Sequence, residues 1–500
     1  MANISINPFT KKSYELPKVL DDQSAIEDFI NKNPRKPIVV VQGLGFVGGV
    51  MSLVCANAIH EDYAVIGLDL PNENSYWKIC SFNEGILPLK SSDPKVEEFF
   101  RKSLQKGNHY ATFDPISISY ADVVIVDVNL DVSKKQNEDG LLLGFDVDLE
   151  LFSSAIRDIA SNCKPEVLIL IETTVPPGTC EKIAFDIIKN GLDDRNLDSN
   201  SFKLGHSYER VMPGPNYIDS IQNYYRVYSG INEDSANATE SFLRTIISTE
   251  KYPLTRLNGT NATELAKVLE NSYRAMNIAF MVEWTRFAEE AGINIYEVVH
   301  AIRQRDTHSN LMFPGLGVGG YCLSKDPLLA SWSRKSLFNA KHGLPQSEMG
   351  VKINDQMPLF AFNFLCEKVG INKLFGLRTL LLGASYRGDV GDTRYSPVEL
   401  FYKLLKKAGS KVLVHDYFVD YWPECDIEVE TDLKAVMEKK FDMIIITTAH
   451  SEYKENPFIL SKLINSKGKI FYDTLGFTSE TDLQNISKYN KTYVLGRGNL

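Results

Sequence analysis

Four stretches of the chain carry residue types and spacings suited to chemistry. In Pro314-Gly-Leu-Gly-Val-Gly-Gly-Tyr-Cys-Leu-Ser-Lys-Asp-Pro327, glycines permit close approach of backbone to a ligand, and Cys322 is followed by Lys325 and Asp326. A cation near a thiol lowers its pKa and the thiolate is the nucleophile, so Cys322 reads either as a covalent catalyst or as an inert packing cysteine. Glu264, Lys267, Asn271 and Arg274 recur at spacings of three, four and three, on one face of a helix. That stripe is either a solvated side or a row of functional groups. Glu172-Thr173-Thr174-Val175-Pro176-Pro177-Gly178 sets hydroxyls at the end of an apolar run, as a ligand site or an ordinary Pro-Gly turn. Finally, Gly43-Leu44-Gly45-Phe46-Val47-Gly48 has the spacing of a phosphate-binding turn.

The elements that must position these groups follow from the pattern around them. Val39-Val40-Val41-Gln42 leads into the Gly43 turn and an apolar helical run, Val50 to Ala58, follows it. Gly43 makes the tight turn, Gly45 lets backbone approach a pyrophosphate, and Gly48 allows the helix to pack on the strand. Asp69 lies about twenty residues on, after Val65-Ile66-Gly67-Leu68, where an acid would bond ribose hydroxyls and disfavour a 2′-phosphate. The turn therefore predicts NAD, bound by Gly43, Gly45, Phe46, Val47, Gly48 and Asp69. Gly315–Gly320 repeats the glycine spacing, but neither a strand before it nor an apolar helix after it is expected, so it reads as a flexible loop of another kind.

Residues 37–250 alternate β-rich and helical runs, which predicts a mostly parallel sheet with strands at Ile38–Gln42, Ala64–Leu68, Val123–Val126, Val167–Ile171 and Tyr225–Ser229. Asp131–Gly144 reads as a surface loop. Residues 1–36 read as an extension with a helix through Ser24–Asn31. From Asn261 to Ala291 the pattern is helical without proline until Gly292 stops it, a length suited to a connector or dimer element. Strands recur at Thr379–Leu382, Lys411–His415, Met443–Thr447 and Lys469–Tyr472. The expected fold class is α/β: two Rossmann-like, doubly wound parallel-sheet domains (37–250 and 371–500) joined by a long-helix central region (251–370).

Composition narrows the function. A net charge of −10 provides no basic excess for nucleic acid or an acidic membrane surface. No run approaches the roughly 18–20 apolar residues needed to span a bilayer, and Met1 to Lys12 has no apolar segment of a secretory signal. The 7 cysteines are scattered, odd in number and without a CxxC pair, which predicts free thiols in a reducing cytoplasm and no metal site.

Taken in order, these motifs resemble the UDP-glucose/GDP-mannose dehydrogenase family over about residues 37–480. The resemblance rests on GLGFVG, TTVPPG, Tyr208-Glu209-Arg210-Val211-Met212-Pro213-Gly214, ELAKVLENSYRAMNIAF, GVGGYCLSKDP and Asp392-Thr393-Arg394-Tyr395-Ser396-Pro397. It implies oxidation of the C6 primary alcohol of a nucleotide sugar to a carboxylate with two NAD, through a thiohemiacetal and a thioester on Cys322. By the same resemblance Lys267 and Asn271 stabilise the oxyanion, Asp326 and Thr174 position a water, and Glu209 assists thioester hydrolysis. Thr174 and Lys325 would also contact the cofactor. Arg210, Arg274, Gly317, Gly319, Gly320, Tyr386, Arg387 and Arg394, with Glu209, Lys267 and Asn271, would contact the substrate. The glycine and Glu-Arg-Val-Met-Pro-Gly motifs resemble the UDP-N-acetylhexosamine branch, and Ser-Lys-Asp leans toward UDP-glucose. A homodimer built on the long helix is implied as well. Departures fall at the periphery: Val126-Asp127-Val128-Asn129 stands where the family has Val-Pro-Thr-Pro, and Arg387-Gly388, Tyr395, Val282 and His308 replace familiar residues. A two-electron dehydrogenase and a non-catalytic nucleotide-sugar binder are the competing readings.

Overall fold

Runs that are apolar at every position form strands buried on both faces, and such strands belong in a parallel sheet covered by helices. Ala64–Leu68, Val123–Val126 and Leu168–Ile171 are of this kind, as is Ile38–Gln42 up to its final glutamine, and every residue in them is buried. The computed structural model describes residues 4–89, 91–211, 214–454 and 456–500. The chain divides into two units, Met1–Asp131 with Val147–Val268 and Trp332–Lys341, and Val132–Asp146 with Leu269–Ser331 and His342–Leu500.

The first unit holds an eight-stranded sheet in the order Thr255–Arg256, Val227–Gly230, Lys203–His206, Leu168–Ile171, Val123–Val126, Ile38–Gln42, Ala64–Leu68, His109–Thr112. All neighbours are parallel except Lys203–His206 with Val227–Gly230. The helix Phe46–Ala56 follows the Ile38–Gln42 strand and buries every residue from Gly48 to Ala56. Gly48 must be glycine, since a Cβ there would lie 2.0 Å from the carbonyl oxygen of Gly43. The N-terminal segment is tied to this unit. Its hairpin, Ile4–Ile6 with Ser13–Glu15, donates from Ser5 Oγ to Glu73 O at 2.7 Å, and Asp22 accepts from Thr112 Oγ1 at 2.6 Å and Tyr110 OH at 2.8 Å.

The second unit has a five-stranded all-parallel sheet in the order Lys411–His415, Arg378–Leu382, Met443–Ile446, Ile470–Asp473, Lys491–Val494. Two expectations are corrected here. The surface loop expected over Asp131–Gly144 is a hairpin, Val132–Gln136 and Leu142–Val147, anchored where Lys134 Nζ reaches both carboxylate oxygens of Asp355 at 2.9 Å. The glycine stretch before Cys322 is followed by a helix after all, Tyr321–Ser336, whose Leu328, Leu329 and Ala330 are buried. Nor is it loosely packed. A Cβ on Gly317 would lie 2.3 Å from Pro397, and one on Gly319 2.4 Å from Tyr386. The glycines are thus required for close contact rather than for mobility.

The helix Thr260–Glu290 begins in the first unit and ends in the second. At 1.5 Å per residue its 31 residues extend about 46 Å. Gly292, at φ +69, provides the left-handed turn that ends it. No helix among the described residues is long and apolar enough to cross a membrane.

Candidate functional site

The nucleotide turn lies at the carboxyl end of the Ile38–Gln42 strand, where ligands bind in open α/β sheets. Gly43 adopts φ +100 and donates to Leu68 O at 2.7 Å. Gly45 caps the helix that follows, and nothing lies within 4 Å of the place a Cβ would take, so the backbone there is open to an anion. Asp69 Oδ2 accepts from Leu44 N at 3.1 Å and from Lys78 Nζ at 3.1 Å, and Oδ1 from Leu70 N at 2.8 Å. A carboxylate offers about four acceptor positions, so one on Oδ1 remains for a ribose hydroxyl. Phe46 is exposed and its carbonyl accepts from Tyr217 OH. The residues present therefore fit NAD.

Beyond the turn, the same unit gathers a polar cluster. Lys267 Nζ donates to Glu209 O at 2.8 Å and lies 3.8 Å from its carboxylate and 5.5 Å from the Tyr208 ring centre. Arg210 is held by Tyr208 OH at 3.1 Å and Tyr225 O at 3.0 Å. The rest of that motif, Met212 and Pro213, lies outside the described residues. Thr174 is half-buried beside Thr173, whose hydroxyl ties the turn to Val126 O and Val128 O. Glu264 is fully buried. Its two carboxylate oxygens accept from Gly178 N at 2.6 Å and Cys180 N at 2.8 Å, and burial pushes its carboxyl up to about 7. It is the tie between the Pro-Pro-Gly turn and the helix bearing Lys267.

In the second unit Cys322 is exposed in the first turn of its helix, with Lys325 and Asp326 one turn on. Asp326 is fully buried, accepts from Asn271 Nδ2 at 2.6 Å and lies 3.6 Å from Lys325 Nζ. Lys325 sits 4.3 Å from the centre of the Tyr321 ring. Arg394 makes a forked contact to Asp392, at 2.9 and 2.7 Å, and its guanidinium carbon is 6.0 Å from the same ring. Tyr386 covers Gly319 and Gly320. Arg387 is exposed.

The structure thus brings Lys267 to Glu209 in one unit, and Asn271, Asp326 and Lys325 together in the other. Glu264, Lys267 and Asn271 are buried, so the stripe is no solvated side there, but Arg274 is exposed and joins neither group. Sequence reasoning passed over Tyr321, although it stands inside the cysteine motif. It gave Glu172 no role of its own and passed over Arg226, its partner in a buried ion pair 54 residues away. Among the described residues no group of three or more His, Cys, Asp or Glu side chains is arranged to hold a metal.

Comparison with known proteins agrees with this layout. Residues 37–247 match the NAD binding domain of the UDP-glucose/GDP-mannose dehydrogenase family, 261–355 its central domain, and 380–480 its UDP binding domain. A UDP-N-acetyl-D-mannosamine dehydrogenase of Pyrococcus horikoshii is 31% identical over 422 residues, 83% of this chain and 90% of that protein. The solved structure of UDP-D-ManNAc dehydrogenase from Pyrococcus horikoshii superposes with TM-score 0.76 at 28% identity, covering 93% of this chain and 100% of the other. That of NDP-N-acetyl-D-galactosaminuronic acid dehydrogenase from Methanosarcina mazei gives 0.75 at 26% identity, covering 95% and 98%.

Proposed function

The chain belongs to the UDP-glucose/GDP-mannose dehydrogenase family and is an NAD-dependent nucleotide-sugar dehydrogenase, and from that premise we propose that it oxidises the C6 hydroxymethyl of a UDP-N-acetylhexosamine to the uronic acid by a four-electron route through Cys322. NAD, when bound, supplies a hydride acceptor for each of the two oxidations. The aldehyde from the first oxidation holds no second hydride to release until a nucleophile adds. The Cys322 thiolate bonds to the aldehyde carbon, and the oxygen takes a proton to give a thiohemiacetal. Loss of a hydride and a proton leaves a thioester. Water then adds, the thiolate departs, and the carboxylate is the product. Lys267 and Asn271, one turn apart on one helix, stabilise the oxyanion, Asp326 accepts a proton through water, and Thr174 and Glu209 serve water and thioester hydrolysis. Lys325 and the nucleotide turn serve the cofactor, while Arg394, with Tyr386 and the glycines at 317–320, serves the nucleotide sugar.

One observation carries this reading. Cys322 is the exposed thiol, set one helical turn before an Asp326 that Asn271 and Lys325 hold in place. The N-acetylhexosamine preference follows the relatives' substrates. The organisation we propose is a cofactor domain over 37–250, a helical region over 251–370 carrying the cysteine, and a nucleotide-sugar domain over 371–500. The long helix leaves Leu265, Leu269, Tyr273, Phe280, Trp284 and Phe287 exposed, an apolar stripe that supports a homodimer. The unpaired cysteines suit the cytoplasm.

The test is a panel of UDP- and GDP-sugars, followed by NADH absorbance and by mass spectrometry of the product. Two NADH per uronic acid are expected from a UDP-N-acetylhexosamine. A ratio of one supports a two-electron enzyme. Full product from Cys322→Ala protein overturns the covalent route.

A further inference from the structure

Asp127 has no part in the chemistry above, yet it stands directly beneath the nucleotide turn. It follows the Val123–Val126 strand and donates from its backbone to Gln42 O at 2.8 Å. Its carbonyl oxygen lies 2.5 Å from the place a Cβ on Gly43 would occupy, and its own Cβ lies 2.9 Å from that of Gly48. The side chain is partly exposed, but Oδ2 is out of contact with solvent and has no hydrogen-bond partner among the described residues. Glu172, at the end of the adjacent Leu168–Ile171 strand, is buried. One of its oxygens meets Arg226, and Oε2 has no partner.

Charged groups on several neighbouring elements act on this pair, and buried His206 lies within reach of Arg226 and Lys267. Arg226 is itself buried and also donates to Ser207 Oγ at 2.9 Å and Ser207 O at 3.1 Å. Glu209, with Lys267 on it, acts from beyond the Lys203–His206 strand, and the buried Cys55 thiol acts from the helix Phe46–Ala56. Three carboxylates, Asp127, Glu172 and Glu209, therefore share two cations, Arg226 and Lys267. Burial, reinforced by Glu172 and Glu209, pushes the Asp127 carboxyl well up, with only Arg226 opposing. Burial likewise raises Glu172 against the pull of Arg226. The carboxylates outnumber the cations by one, which favours a proton on the Asp127–Glu172 pair.

The fold says what would supply that charge. Asp69 ends the strand on one side of the nucleotide turn, and Asp127 and Glu172 end the two strands on the other side. A dinucleotide lies across this crevice. With its adenosine ribose toward Asp69, a bound dinucleotide would bring its nicotinamide half over Asp127 and Glu172. The oxidised ring is cationic and the reduced ring is neutral. We propose that the Asp127–Glu172 pair is a proton-linked discriminator of cofactor oxidation state, which releases a proton when NAD+ binds and keeps it when NADH binds. A bound cation within a few ångströms lowers a carboxyl pKa by about 1–3 units, so NAD+ gains about tenfold or more in affinity over NADH above the pair's titration. An enzyme that exchanges cofactor twice for each substrate gains from holding the reduced form weakly.

The inference rests on the cofactor assignment and not on the sugar or on Cys322. Titration calorimetry of the full chain with NAD+ and with NADH, in two buffers of unlike ionisation enthalpy, reads both affinity and protons. Release of up to about one proton is expected with NAD+ and none with NADH, with NAD+ affinity rising by up to about tenfold per pH unit through the titration. Asp127→Asn is expected to abolish the release and flatten the pH dependence, whereas Cys322→Ser retains both. Equal proton counts for the two forms, release that survives in Asp127→Asn, or release that vanishes in Cys322→Ser each overturn the proposal. The first result needs no variant. Absence of NAD+ binding altogether would instead contradict the cofactor assignment.

Discussion

Glu264 turns a buried contact into a pH dependence of stability. Its carboxyl is fully buried and raised from 4.5 to about 7, chiefly by burial, with the two backbone N–H groups of Gly178 and Cys180 partly opposing. A folded-state pKa above the unfolded value means that the folded protein binds the proton more tightly. The associated stability is fully present below about pH 4.5 and is lost as the pH rises through about 7. A shift of about 2.5 units is worth about 3 kcal/mol in total, and the linkage relation puts about 1.3 kcal/mol of it between pH 6 and pH 8. Glu264→Gln preserves shape but does not titrate, and its amide presents a donor to one of the two N–H groups, which costs about 1–2 kcal/mol at low pH. The expected signature is a wild-type advantage that shrinks by about 1.3 kcal/mol from pH 6 to pH 8. Urea unfolding followed by fluorescence across that range measures it. The difference between the two proteins is the quantity to read, because Glu289 is also raised to about 7 and tilts both curves alike. A difference that stays constant to within a few tenths of a kcal/mol would refute the assignment.

Other substitutions probe other contacts. Gly320→Ala forces a side chain onto a residue at φ +79 and puts its Cβ 2.7 Å from the Tyr386 ring, so a loss of about 1–2 kcal/mol and a raised KM for the nucleotide sugar are expected, checked by thermal unfolding and steady-state kinetics. Arg226→Met strands the Glu172 carboxyl in the interior and is expected to cost about 3–5 kcal/mol above neutral pH, with much of the loss restored by Glu172→Gln in the same chain. Leu269→Glu with Trp284→Glu breaks the exposed apolar stripe and is expected to yield monomers in sedimentation velocity while circular dichroism stays unchanged.

What the sequence displays depends on how burial is distributed. The Ile38–Gln42, Ala64–Leu68 and Val123–Val126 strands lie in the sheet interior, where both faces demand apolar side chains, and their bounds are those read from sequence. His109–Thr112 is an edge strand with half-exposed His109 and Tyr110, and Lys203–His206 mixes lysine, glycine and histidine, so neither carries a legible pattern. The hairpin within 132–147 escaped notice because Val132–Gln136 is mostly polar and both strands are mostly uncovered, held by Lys134 to Asp355 across more than two hundred residues of chain. In the site, glycine and cysteine spacing made the nucleotide turn and Cys322 conspicuous. Helical periodicity put Lys267, Asn271 and Arg274 on one face but could not tell that the cover ends before Arg274. The Asp127 cluster draws four residues from beside separate strands and Lys267 from the long helix, and no local spacing announces it.

The distribution of thiols has a practical side. Cys55, Cys163 and Cys180 are buried, Cys80, Cys366 and Cys425 are half-buried with burial raising each thiol, and Cys322 alone is exposed. An alkylating reagent at neutral pH therefore meets one fast-reacting sulfur per chain. One molar equivalent counts the subunits whose Cys322 is intact, and on the proposed covalent route oxidation of that same atom by peroxide would silence a subunit without unfolding it.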